Sequence, residues 1–156
     1  KLFSGIINSC GSPVYGRTET WINRTIIKVF NELHNYGIAH SVEVWRGSSL
    51  VGGIYGLSIG GVFFAESMFS SVTNASKIGL IVLLSKLHNA KFKLFDIQFL
   101  TPHLASMGGI EISRDEYLKQ LNEFIYLENK FPQIDTSNDD YWAVLKNYLH
   151  EIKNIS

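Results

Sequence analysis

The chain has 156 residues, enough for one domain with a real core and too few for two sizeable ones. Its 46% hydrophobic content, 13% aromatics and 18% charged residues exclude a disordered tract, which would hold fewer apolar groups. Fourteen basic and fourteen acidic residues cancel, which excludes nucleic-acid binding by bulk positive charge while leaving local patches open.

Phe3, Ile6, Ile7 and Cys10 recur at helical spacing, so residues 2–10 predict a short helix ending at Gly11. Residues 11–20 read as loop. Thr20 or Asn23 then caps a helix that carries Ile22, Ile26, Phe30 and Leu33 on one face and stops at Gly37. Ala39 to Met68 changes period: strands over 39–45, 50–57 and 62–68, joined by Arg46 to Ser49 and by Gly60-Gly61, predict an antiparallel meander. Asn74 offers a cap to a helix bearing Leu80, Leu83, Leu84 and Leu87, and Lys93 to Leu100 alternates like a fourth strand. Pro102 opens a helical turn. Ser113 and Glu116 have capping-box spacing ahead of Leu118, Leu121 and Ile125, a helix ended by Pro132. Asp135 to Asp140 reads as an acidic linker, and Tyr141, Trp142, Leu145, Tyr148, Leu149 and Ile152 as an amphipathic helix. The expected organisation is a domain over 1–132, with 133–156 as linker and a helix packed on it.

Cys10 is the single cysteine, so an internal disulfide and a thiolate metal site are both excluded, and a reducing, cytoplasmic setting is expected. No apolar run approaches the ~20 residues that cross a bilayer, and no signal-like segment follows Lys1. The five histidines are dispersed, without the paired spacing of a zinc site, so no metal is expected.

In the 93–100 strand, period-two geometry places Asp96 and Gln98 on one face and Phe95, Ile97 and Phe99 on the other. A carboxylate and an amide there either satisfy structural partners or serve chemistry, and spacing alone leaves both open. Glu66 lies among Phe63, Phe64, Ala65, Met68 and Phe69, where a carboxylate needs a cationic partner or a shifted pKa unless it reaches solvent. Residues 74–77 make a polar start to an apolar helix, which suits an anion and is equally explained by ordinary capping. Ser41, Ser67 and Ser70 lack a nucleophile elbow, and glycines 52, 53, 56, 60 and 61 form no phosphate loop.

Several stretches are specific when taken together: Thr20-Trp21-Ile22, Ala39 to Trp45 (AHSVEVW), Leu50 to Gly56 (LVGGIYG), Glu66 to Ser70 (ESMFS), Asn74 to Lys77 (NASK), Asp96-Ile97-Gln98 and His103 to Gly108 (HLASMG). In this order and spacing, from about Ile7 to about Leu121, the chain closely resembles the leucyl/phenylalanyl-tRNA-protein transferases, bacterial enzymes of the N-end rule. The resemblance implies an α+β fold like that of the GCN5-related acetyltransferases, with a mixed, mostly antiparallel sheet flanked by helices. It implies transfer of Leu or Phe, less well Met, from aminoacyl-tRNA to the N-terminal Arg or Lys of a protein, by a cytoplasmic monomer without metal or cofactor.

Carried over by motif, Gln98 positions the attacking amine or the ester, Asp96 polarises Gln98 and helps hold or deprotonate the amine, and Glu66 meets the acceptor's positive charge. Ile54, Phe63, Met68, Leu80, Leu83, Leu87 and Phe95 match the pocket for the donor side chain, although without the resemblance all seven read as core. Trp21 matches the residue that stacks on the terminal adenosine, a contact worth roughly 1 to 3 kcal/mol; packing at the helix entry is its plainer role. The family's smaller N-terminal domain is not matched. Two other readings remain: an acetyl-CoA acyltransferase, disfavoured because residues 70–77 lack a glycine-rich pyrophosphate loop, and a non-catalytic domain that binds aminoacyl-tRNA.

The zero net charge conceals an asymmetry. Residues 1–100 hold nine basic and five acidic side chains, whereas 101–156 hold five and nine. Lys77, Lys86, Lys91 and Lys93 fall on or after one helix and are expected to meet a tRNA backbone.

Overall fold

A computed structural model describes residues 3–13, 20–132 and 145–146. The expected linker and tail helix over 133–156 therefore lie outside the described residues, apart from the helical pair 145–146. Four strands form one mixed sheet in the order β1-β2-β3-β4, with helices on both faces.

Helix α1 (Phe3–Gly11) turns Phe3, Ile6, Ile7 and Cys10 inward, the expected stripe. Helix α2 (Arg24–Asn35) begins where Asn23 Oδ1 accepts the Ile26 N–H at 3.0 Å, while Thr20 Oγ1 accepts the Ile22 N–H just before it. It ends in a Schellman motif: Gly37 sits at φ 73°, and the Gly37 and Ile38 N–H groups reach back to His34 O and Leu33 O.

Strands β1 (Ala39–Arg46), β2 (Ser49–Ile59) and β3 (Val62–Ser70) form the antiparallel meander, joined by tight turns at 47–48 and at Gly60-Gly61. Ile6 from one face and Ala75 from the other press on β2 at Gly53 and Gly52, where any side chain would collide with them. The β2/β3 ladder is irregular at one place. Tyr55 pairs with Ser67 and Gly56 with Ala65, so Glu66 is the extra residue of a bulge.

Helix α3 (Ala75–Asn89) crosses back and returns the chain as β4 (Leu94–Asp96), parallel to β3 with Phe63 opposite Phe95 and Phe64 opposite Asp96. Asn74 occupies the N-cap position but, at φ 67°, makes no side-chain cap bond; Ser70 Oγ instead accepts the Ser76 N–H at 3.3 Å. The fourth strand is far shorter than its alternation predicts. It stops at Asp96 because Gln98 turns to φ 62°, which no strand accommodates. Helix α4 (Pro102–Ala105) is a single turn capped by Thr101. Helix α5 (Arg114–Phe124) starts at Ser113, whose Oγ accepts the Glu116 N–H, while the Glu116 carboxylate bonds Gln120. It ends at Phe124 rather than at Pro132, because the Phe124 carbonyl accepts the Gly61 N–H at 2.8 Å and docks that end on the β2/β3 turn.

Two apolar clusters flank the sheet. Phe3, Ile6, Ile7, Cys10, Ile22, Phe30, Ala39 and Tyr55 pack under α1 and α2; Val42, Ile54, Phe63, Leu80, Val82, Leu83 and Leu87 pack under α3. No described helix is long and apolar enough to cross a membrane.

Candidate active site

Beyond the end of β4 the chain wraps a half-open cavity of about 970 Å³. Its apolar wall comes from Leu80 and Leu84 of α3, Leu94 and Phe95 of β4, and Leu104 and Met107; its polar groups are Asp96, Gln98, Glu111, Arg114, Tyr117 and Gln120. Among the described residues, no group of three His, Cys, Asp or Glu is placed to hold a metal ion.

Asp96 uses both carboxylate oxygens. Oδ1 accepts the backbone N–H of Gln98 at 2.7 Å, and Oδ2 accepts the Tyr117 hydroxyl at 2.7 Å. The first bond is an Asx turn, which explains how Gln98 tolerates a left-handed backbone. The Gln98 side chain, freed from strand geometry, lies beside Glu66 and favours its charged form. Asp96, Gln98 and Glu66 thus come together through a bulge on β3 and a turn after β4, instead of through the alternation of one strand. The hydrogen bond from Gln98 to Asp96 runs through the Gln98 main chain.

Glu66 and Asp96 place two like charges near Gln98, with Arg114 on the wall of the same cavity. Burial raises the Glu66 pKa above the ordinary carboxylate range, the Gln98 amide opposes this, and the nearby Asp96 charge adds to it. Two carboxylates held beside one amide favour a cation arriving between them.

The seven expected pocket residues divide. Leu80 and Phe95 line the cavity, whereas Ile54, Phe63, Leu83 and Leu87 are closed inside the cluster behind it and Met68 packs partly buried against that cluster. Leu84, Leu94, Leu104 and Met107 complete the wall and were not anticipated, because core and pocket residues share one apolar periodicity. Trp21 stands 52% exposed ahead of α2 and does not line the cavity. Helix-entry packing does not account for a ring this open.

The four lysines also divide. Lys91 and Lys93 are exposed and Lys77 is partly so, but Lys86 is 7% exposed and burial pushes its pKa down to about 8. A side chain this enclosed offers little surface to a phosphate backbone, so Lys86 does not fit the expected basic patch. The sequence reading also missed Tyr117, whose signal was an aromatic residue with a polar tip one position off the apolar face of α5.

A profile of the family described as leucyl/phenylalanyl-tRNA protein transferase matches residues 1–122. The chain belongs to this family. It is 48% identical over 130 residues to a leucyl/phenylalanyl-tRNA–protein transferase of Rhodospirillum rubrum, covering 83% of this chain and 61% of the relative. Against that of Roseobacter denitrificans it is 52% identical over 121 residues, 78% of this chain and 56% of the relative. Against that of Zymomonas mobilis it is 45% identical over 148 residues, 95% and 54%. The chain therefore spans between half and two thirds of the length of these transferases.

Proposed function

We propose that this chain carries the transfer chemistry of its family, moving Leu or Phe, and less well Met, from aminoacyl-tRNA to the N-terminal Arg or Lys of an acceptor protein and so marking it for N-end rule degradation. The observation that carries this reading is the junction of Glu66, Gln98 and Asp96 beside an apolar-walled cavity. The acceptor amine attacks the ester carbonyl, a C–N bond forms, the C–O bond to the ribose breaks, and an amine proton leaves with the ribose oxygen. The ester is already activated, so the protein's task is to align the two reactants and stabilise the tetrahedral oxyanion.

In this reading Gln98 positions the amine or the ester, with Asp96 fixing its backbone and helping to hold the amine. Glu66 and Asp96 attract the acceptor's cationic side chain. Leu80 and Phe95, backed by Ile54, Phe63, Met68, Leu83 and Leu87, receive the donor side chain. A pocket of this kind separates side chains differing by one methylene by only ~1 to 3 kcal/mol, hence the tolerance of Met. Trp21 stacks on the terminal adenosine, and Lys77, Lys91 and Lys93 meet the tRNA backbone. The meander followed by a helix and a parallel strand supports a likeness to the GCN5-related acetyltransferases. The acetyl-CoA alternative is weakened at the β3–α3 junction, where Ser70 Oγ already occupies the Ser76 N–H and no glycine-rich loop is present. The setting proposed is a cytoplasmic monomer that needs no cofactor.

The test is transfer of labelled leucine from leucyl-tRNA to a reporter with N-terminal Arg. It uses this chain and a chimera in which the chain replaces the matching stretch of the Zymomonas mobilis relative, beside Asp96→Ala, Gln98→Ala and Glu66→Ala. Transfer that depends on these three residues is expected; no transfer by either unmutated protein defeats the reading.

A further inference from the structure

Asp96 sits at the end of a strand only three residues long, and its carboxylate would swing about its last torsion unless both oxygens were held. Oδ1 is committed to the Gln98 N–H, and Oδ2 is held from the far side of the cavity, where Tyr117 donates to it at 2.7 Å across 21 positions of chain. Tyr117 is delivered by a helix anchored at both ends, by the Ser113 cap and by the Phe124 carbonyl on the Gly61 N–H.

What this second hold protects is an unfavourable backbone. Gln98 at φ 62° adopts a conformation that residues other than glycine seldom keep unless their surroundings over-determine it. Its side chain lies beside Glu66. Two hydrogen bonds therefore tie α5 to the turn after β4, Tyr117 hydroxyl to Asp96 and Asp96 to the Gln98 backbone, and Gln98 stands next to Glu66 of β3. Burial first, and Asp96 second, push the Tyr117 hydroxyl up to about 12, so it remains a proton donor throughout the neutral range.

The geometry points to Tyr117 as a positioning residue for the transfer reaction: its hydroxyl locks the Asp96 carboxylate in the rotamer that keeps Gln98 left-handed, with its amide toward Glu66. The kinetic consequence rests on the proposed transfer function, whereas the positioning itself does not.

The experiment compares Tyr117→Phe, which removes the hydroxyl and keeps the ring, with the unmutated protein, in both the full chain and the chimera. Loss of a hydrogen bond to a charged group predicts a fall in kcat of about ten- to a hundredfold with KM for leucyl-tRNA unchanged. In an Asp96→Ala background the same substitution adds no further loss, as coupled residues require. Amide hydrogen exchange followed by NMR quickens at Gln98 in Tyr117→Phe and stays unchanged along β2. A kcat unaffected by the substitution, a loss that simply adds to that of Asp96→Ala, or unaltered exchange at Gln98 overturns the inference. Should neither unmutated protein transfer leucine, the function fails separately, and exchange at Gln98 alone decides the role of Tyr117.

Discussion

Between Ala39 and Ser70 the chain runs as three strands joined by two tight turns, and its backbone groups pair with one another along two antiparallel ladders. Between Leu94 and Tyr117 it offers three residues of strand and one turn of helix, and side chains hold it in place: Asp96 on the Gln98 N–H, Thr101 on the Leu104 N–H, Tyr117 on Asp96. The meander spends its side chains on two apolar clusters, while the later segment directs its polar groups at a cavity. Rigidity and chemistry are thus divided between neighbouring stretches, and Glu66 joins the second group through the one bulge that interrupts the β2/β3 ladder.

If that division is right, substitutions in the two regions fail in different ways. The largest expected effect belongs to the irregular segment: Gln98→Ala or Asp96→Ala lowers kcat for transfer by about 10²- to 10³-fold, the scale of a lost transition-state contact, and Gln98→Ala, which removes no hold on the backbone, does so with an unchanged melting temperature. A matching loss of Tm in Gln98→Ala would show that this side chain holds the fold instead. In the meander, Gly56→Ala forces a Cβ against the Phe64 carbonyl and the Phe63 ring, so a loss of about 3 kcal/mol in denaturant stability is expected, with catalysis per folded molecule retained. Outside both regions, Trp21→Ala raises KM for aminoacyl-tRNA about tenfold, from the loss of one stacking contact, and leaves acceptor KM alone.

The smallest effect separates binding from stability at one residue. The folded Glu66 holds its proton to a higher pH than the unfolded chain does, so folding is relatively favoured at low pH, and that contribution is lost as pH rises through the raised pKa. Glu66→Gln is therefore expected to raise Tm by about 2 °C at neutral pH, with the gain vanishing below the ordinary carboxylate range. A fall in Tm at neutral pH would mean that Glu66 is anchored structurally.

The regular region was readable from the sequence because its determinants are local. Helical spacing at Phe3, Ile6, Ile7 and Cys10, the Asn23 cap, the Gly37 stop and the Gly60-Gly61 turn all stand where expected. The irregular region was not, because tertiary contacts decide it. Alternation continues through Leu100, yet the strand ends at Asp96 once that side chain captures the next turn's N–H. Helix α5 stops where a carbonyl meets a glycine of a distant turn, and Lys86 is buried on α3, the helix that packs along β1, β2 and β3. The identities of the three polar site residues came from motif resemblance, and the pairing that joins them came only from the structure.

The central claim is that two carboxylates beside Gln98 select a cationic acceptor. Its most direct test is the ratio of kcat/KM for reporters with N-terminal Arg and with N-terminal Gln, measured for the unmutated chimera and for Glu66→Gln. Removing one of the two charges is expected to shrink that ratio by about tenfold, the order of a charge-assisted contact. A ratio that stays the same, whatever happens to the absolute rates, would contradict the account.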